Sequence, residues 1–152
     1  MSVIVYRDKV MASDTSAFRG DAKFRDVRKI ARVKRASDDL VFLIGGVGDF
    51  AIVHRVLLWA IAGMVNPAPE IPHDPENKNE SLATIMIVAP NGEIELMDAN
   101  GSYSIRSSYM AIGAGSQVAL GALWQGATAV EAVEAAGAHN AYVGRMIDTV
   151  QW

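Results

Sequence analysis

Apolar residues come in short runs, each closed by a polar or glycine break. Val3, Ile4, Val5 and Tyr6 form the first run, Asp8-Lys9 interrupt it, and Val10-Met11-Ala12-Ser13 lead back to Asp14. This is the pattern of a two-stranded hairpin over residues 2–14. The polar stretch 15–24, with Gly20 inside it, predicts a loop. Val27 to Val33 alternates as a strand, Ala36-Ser37-Asp38-Asp39 turns the chain, and Leu40 to Ile44 has the unbroken apolarity of a buried strand. Gly45, Gly46 and Gly48 then mark a switch from a period of two to one of about 3.6. From Asp49 onward Phe50, Val53, Leu57, Ile61 and Met64 recur at helical spacing.

Pro67, Pro69, Pro72 and Pro75 predict an extended loop that ends near Ser81. Leu82 to Val88 and Glu93 to Met97 flank Pro90-Asn91-Gly92, the signature of another hairpin. A loop through Asn100-Gly101 leads to a short strand, Tyr109 to Ile112, closed by Gly113-Ala114-Gly115. Residues 115–124 are helical and stop at Gly126. Thr128 with Glu131 forms a capping box that starts a helix reaching about His139, and residues 145–152 suit a closing strand. Strands in hairpins and helices in separate runs predict an α+β fold, with two sheets, one from each half, and helices outside them.

A chain of 152 residues, 51% hydrophobic and 20% charged, suits one soluble domain spanning 1–152. With no cysteine there can be no disulfide framework, thiolate zinc site or cysteine nucleophile. His54, His73 and His139 are scattered, so neither a metal nor another cofactor is expected. The N-terminus lacks a basic-then-apolar leader, and the most apolar stretch, 50–65, is broken by His54 and Arg55 and is too short to span a bilayer. A cytoplasmic protein is expected.

The net charge of −3 is unevenly spread: Arg25, Arg28, Lys29, Arg32, Lys34 and Arg35 cluster, and residues 67–80 are acidic. Without aromatic interleaving or a recognised motif, the basic run argues for a solvated strand face or a subunit interface rather than nucleic acid. The helix from Phe50, with Trp59 beside its core stripe, could equally dock a neighbouring subunit or leave that tryptophan at an exposed edge.

Chemistry concentrates at the N-terminus. If Met1 is removed, Ser2 offers a hydroxyl nucleophile and a free α-amine, whose ordinary pKa of about 7.7–8.0 lets it accept a proton at neutral pH. Retained Met1 would make that nitrogen an amide, which cannot act as a base. Alternation places Lys29 with Val27, Ala31 and Val33 on the more apolar face of its strand, where the ammonium needs an anionic partner, and Asp14 is the candidate. A buried structural ion pair explains these two residues as well as catalysis does. Beside a free terminus, however, the cation would lower the amine's pKa and stabilise an alkoxide. Gly45 would let the backbone approach a substrate and donate to a developing oxyanion, though a simple strand-to-helix turn accounts for the glycines equally well.

Several segments, taken in order, resemble proteasome β-subunits. They are Ser2-Val-Ile-Val-Tyr-Arg, Ala12-Ser-Asp14, Val27-Arg-Lys29-Ile, the Gly45 segment, Ala111-Ile-Gly-Ala-Gly115, the helix from Ala129, and Asn140-Ala-Tyr-Val-Gly144. The chain is especially similar to the bacterial HslV peptidase and to short HslV-like proteins of bacteria and phages, over essentially its whole length. The resemblance implies a four-layer αββα sandwich of the N-terminal-nucleophile hydrolase fold, assembled into homo-oligomers, usually rings, and cleaving peptide bonds. It makes Ser2 the nucleophile, Asp14 and Lys29 its supporting acid and lysine, and Gly45 the oxyanion-hole glycine. An unfoldase partner is left open.

Three positions depart from the family pattern: Ala114 where serine is frequent, Asn140 where proteasome subunits have aspartate, and Val143 where they have serine. The first hairpin is also shorter, trimmed on both strands. These departures motivate the rival expectation of a degenerate, self-assembling structural or scaffold protein, such as a component of a phage particle, that has lost hydrolysis.

Overall fold

The computed structural model describes residues 2–152. Met1, on whose removal the expected chemistry depends, lies outside the described residues. The first half of the chain runs β1 (Val3–Arg7), β2 (Val10–Asp14), β3 (Ala17–Arg19), β4 (Ala22–Phe24), β5 (Ile30–Lys34), β6 (Val41–Gly48) and α1 (Phe50–Ile61). The second half runs β7 (Ala83–Val88), β8 (Ile94–Asp98), β9 (Gly101–Ile105), β10 (Tyr109–Gly113), α2 (Ser116–Trp124), α3 (Ala129–His139) and β11 (Ile147–Gln151). The fold is thus a mixture of helices and antiparallel sheets.

One sheet has the order β10-β1-β2-β11 and the other β5-β6-β7-β8-β9, while β3 and β4 form a separate small hairpin. The expected division, one sheet from each half of the chain, does not hold. The four-stranded sheet joins the first hairpin to β10 and β11, and the five-stranded sheet takes the middle of the chain. The cause lies in β1, whose residues Val3 to Tyr6 are all buried. Such a strand needs a neighbour on each side, and β10 supplies the second, with Val3 opposite Gly113 and Arg7 opposite Tyr109.

The same burial explains the unbroken run Val3-Ile4-Val5-Tyr6. Val3 and Val5 turn to α2 and α3, where they meet Leu123, Val133 and Ala136. Ile4 and Tyr6 turn the other way, onto Ile30, Leu43 and Met86 of the second sheet. Beyond that sheet α1 covers Ile44 and Ile85 with Val53, Leu57 and Ala60. Both faces of β1 are apolar because both are covered.

Two predicted loops contain strands. Residues 17–24 form β3–β4, and the loop through Gly101 is β9, which pairs with β8 from Ile94↔Ile105 to Asp98↔Gly101. Both are largely exposed, so no buried face imposes an alternating pattern on them. Conversely, β6 does not stop at Ile44 but continues through the glycines to Gly48. A Cβ on Gly45 would lie 2.8 Å from Ile30 Cγ2 and 2.9 Å from Ile4 Cδ1. These glycines allow close approach of neighbouring layers rather than ending the strand.

Helix caps match the sequence. Asp49 accepts from the N–H groups of Ala51 at 2.9 Å and Ile52 at 3.2 Å. At α3 the box is complete, with Glu131 N–H donating to Thr128 Oγ1 at 3.2 Å and Thr128 N–H to Glu131 Oε2 at 2.8 Å. Thr128→Ala should therefore lower stability by about 1 kcal/mol, measured as a shift in the urea midpoint. Trp59 is half-buried rather than free at an edge, and its indole N–H donates to the carbonyls of Val65 and Asn66. Among the described residues, no helix is long and apolar enough to cross a membrane.

Candidate active site at the N-terminus

The hairpin register Ile4↔Ser13 places Val3, the first residue of β1, beside Asp14, the last of β2. Asp14 is fully buried, and its carboxylate is saturated with donors. Val3 N–H donates to Oδ1 at 3.0 Å, and Gly144 N–H and Ser16 N–H donate to Oδ2 at 2.8 and 3.3 Å. The ammonium of Lys29 donates to Oδ1 at 3.0 Å and also to the Ser16 carbonyl. A carboxylate and an ammonium, both out of water, are tolerable only with such complete pairing. Burial lowers the Lys29 pKa below the ordinary lysine value, while the charge and hydrogen bond of Asp14 act to raise it.

Lys29 is buried as expected, but not on the face expected. Strand β5 begins at Ile30, so the alternation does not extend back to Lys29. Ala31 and Val33 lie in the α1 cluster, whereas Lys29 reaches across to Asp14 in the other sheet. Its partner was legible; its face was not.

Ser2 is buried directly before β1. It opens, with Lys29, into a cleft of about 530 Å³ walled by Phe18 of β3, Gly46 and Gly48 of β6, and Phe50 of α1. The structure therefore brings Ser2, Asp14 and Lys29 into one neighbourhood, Val3 N–H tying the carboxylate to the residue after Ser2.

Gly45 is the exception, since it is not among the residues lining the cleft. Gly46 N–H points to the Lys29 carbonyl at 3.0 Å. Because successive N–H groups of a strand point to opposite sides, that of Gly45 faces β7, where Met86 is its partner. The next N–H on the Lys29 side belongs to Gly48. The missing side chain of Gly45 lets Ile4 and Ile30 pack against the strand, and the cleft is lined by Gly46, Val47 and Gly48.

The turn after β10 cradles Ser2. Gly113 has φ +100°, and a Cβ there would strike the Ser2 carbonyl oxygen. Gly115 N–H approaches that oxygen at 3.4 Å. Gly113→Ala should cost about 1–3 kcal/mol, read by denaturant titration, because Ser2 or the turn must move. Asn140 braces the same turn: its Nδ2 donates to the Ala114 carbonyl at 3.0 Å, and its Oδ1 accepts from Tyr142 N–H at 2.9 Å. Val143 is buried in the apolar cluster beneath α3. Ser16 and Gly144 escaped sequence reasoning because they contact Asp14 through backbone groups, which every residue type carries.

No protein-family model matches the sequence, and no curated protein matches it either. Solved structures do. BPH from Thiobacillus denitrificans superposes with a TM-score of 0.66 at 21% identity, covering 98% of this chain and 95% of that one, and it has also been solved in complex with epoxomicin. Anbu from Yersinia bercovieri, described as an ancestral beta-subunit, gives a TM-score of 0.69 at 11% identity, covering 100% of this chain and 81% of that one. Anbu from Pseudomonas aeruginosa, solved as a helical assembly, gives 0.68 at 13% identity, covering 99% and 80%. At these identities the likeness is one of fold, and this chain has the fold of Anbu and BPH.

Proposed function

We propose that residues 1–152 form one proteasome/HslV-like domain, a four-layer αββα sandwich, that hydrolyses peptide or amide bonds with Ser2 after removal of Met1. The observation carrying this reading is the buried carboxylate of Asp14, which binds the N–H of Val3 and the ammonium of Lys29 where both Ser2 and Lys29 open into one cleft. A purely structural ion pair has no need of a cleft or of a serine lining it beside the lysine.

In the proposed reaction Ser2 Oγ attacks the substrate carbonyl carbon, and its proton passes to the α-amine of the same residue. The Lys29 ammonium, held by Asp14, favours the ionised hydroxyl. The oxyanion is met by backbone N–H donors of the glycine segment at Gly48. The amine then returns the proton to the leaving nitrogen, which departs, and leaves an ester on Ser2. Water attacks that ester, giving its proton to the amine, which passes it to Ser2 Oγ as the C–Oγ bond breaks, releasing the acid and restoring Ser2. Phe18 and Phe50 in the cleft wall favour substrates with an apolar side chain next to the scissile bond.

The test is covalent trapping. Epoxomicin, the compound bound to BPH, is incubated with protein purified from its native source, and the intact mass and the modified residue are determined. One adduct on Ser2 of a chain lacking Met1 supports the reading; complete retention of Met1 removes it.

A second reading is a degenerate homologue that keeps self-assembly without hydrolysis, as a structural component encoded by a cell or a phage. Asn140 and Ala114 favour it: where the family has a carboxylate and often a hydroxyl, this chain has an amide bonded to a backbone carbonyl. The helical assembly of Pseudomonas Anbu supports self-association under either reading, as a ring or otherwise. We place the protein in the cytoplasm of a bacterial or phage-infected cell, and an unfoldase partner belongs to the hydrolase reading alone.

A further inference from the structure

The hairpin β3–β4 that walls the Ser2 cleft with Phe18 also borders a second depression, of about 620 Å³. Around it stand Lys23 from the hairpin, Arg25 just after it, His139 from the end of α3, and Arg145 from the segment before β11. Ser16, itself buried, also lines it, and none of the described lining residues is acidic. Lys23, Arg25 and Arg145 are exposed and, among the described residues, none of them forms a salt bridge. Other clefts mix their charges: Arg35 lies with Glu93 and Glu95, and Arg55 with Glu70.

Opposing charge nearby is limited. The last carbonyls of α3 contribute about half a negative charge. Asp21 and Asp26 are exposed on or beside the hairpin but do not line the depression. Asp14, on the far side of Ser16, is already matched by Lys29. Basic side chains converging on a concave site with no carboxylate among them raise the local potential, and a multivalent anion relieves it through charge-assisted hydrogen bonds.

We propose that this depression binds a small multivalent oxyanion, of phosphate or carboxylate class, through Lys23, Arg25 and Arg145, with His139 and Ser16 supplying further hydrogen bonds. The site shares no lining residue with the Ser2 cleft, so it does not rest on the hydrolase reading. Its occupant would nevertheless touch that machinery from behind. Ser16 donates its N–H to Asp14 and accepts from Lys29, and Arg145 follows Gly144, another Asp14 donor.

The test is calorimetric titration of the full chain with pyrophosphate and with citrate, glycerol serving as the neutral control. Saturable binding of one anion per chain is expected. Arg25→Ser combined with Arg145→Ser should weaken it by at least about tenfold, whereas Arg106→Ser, on another surface, should leave it unchanged. Tighter pyrophosphate binding assigns a phosphate ligand, and tighter citrate binding a carboxylate. If the double variant does not fold, Lys23→Ser on the exposed hairpin replaces it, with a weakening of about threefold or more expected. Absence of saturable binding, or undiminished affinity in the variant that folds, overturns the proposal. Neither readout requires hydrolysis, so an inactive Ser2 leaves the test intact.

Discussion

Ser2→Ala is expected to abolish covalent labelling and to lower peptide hydrolysis by at least about a thousandfold, because the attacking oxygen is gone. Stability should change by no more than about 1 kcal/mol, since only one hydroxyl is lost. A wild-type chain that retains a residue before Ser2 should lose activity just as fully, its nitrogen then being an amide. Hydrolysis by the matured protein should rise with pH through the neutral range as the α-amine loses its proton. The amine's ordinary value of about 7.7–8.0 sets where that rise is expected. Matched assays of wild type, Ser2→Ala and the blocked chain on one fluorogenic peptide series check all of this. Hydrolysis persisting in Ser2→Ala would remove Ser2 as nucleophile. A matured wild type that neither labels nor hydrolyses would instead leave the scaffold reading.

Elements whose burial leaves a periodic trace were legible in the sequence. The hairpin of β1 and β2, the helix α1 and the capped α3 occur within a few residues of where the pattern puts them, because each buries a face or satisfies its own terminus. Of the expected α1 stripe, however, only Val53 and Leu57 are buried. Phe50 and Ile61 are exposed, Met64 lies past the helix end, and Ile52, Val56 and Ala60 complete the buried face. The exposed strands β3, β4 and β9 leave no such trace. Glycine misled in a different way. Gly45 and Gly46 signal a turn by type, whereas their role is to let Ile4, Ile30, Ile85 and Val53 close around the strand.

The site divides along the same line. Side-chain chemistry pointed to Ser2, Asp14 and Lys29 because a serine, a carboxylate and a lysine in apolar surroundings are each informative as types. The Asp14 contacts through Ser16 and Gly144, and the direction of each glycine N–H, belong to the backbone. Only the ladder shows that Gly46 is committed to the Lys29 carbonyl and that Gly45 faces the opposite side. The departures at Ala114 and Asn140 gain a physical meaning only in the fold, where the Asn140 amide braces the carbonyl that follows Gly113.

The Asp14–Lys29 pair carries the second large effect, and it concerns stability rather than rate. Asp14→Ala would leave an ammonium buried with only the Ser16 carbonyl and would strand the N–H groups of Val3, Ser16 and Gly144. A loss of about 3–5 kcal/mol is expected. Lys29→Met leaves the carboxylate its three N–H donors and should cost less, about 1–3 kcal/mol. Combining Asp14→Asn with Lys29→Met removes both charges together and should cost less than the sum of the two single changes. The pH dependence has a definite sign. The folded-state pKa of Lys29 is lowered from the ordinary 10.5, so in the alkaline window below that value the unfolded chain binds more protons than the folded one. The cost of burying the ammonium is fully present at neutral pH and lifts as pH climbs through the folded pKa. Wild-type stability, measured by urea midpoints from neutral pH upward, should therefore rise relative to Lys29→Met across that window. Parallel curves, or a relative fall, would show that the lysine is not held as a desolvated cation, and with that the electrostatic support proposed for Ser2 would be lost.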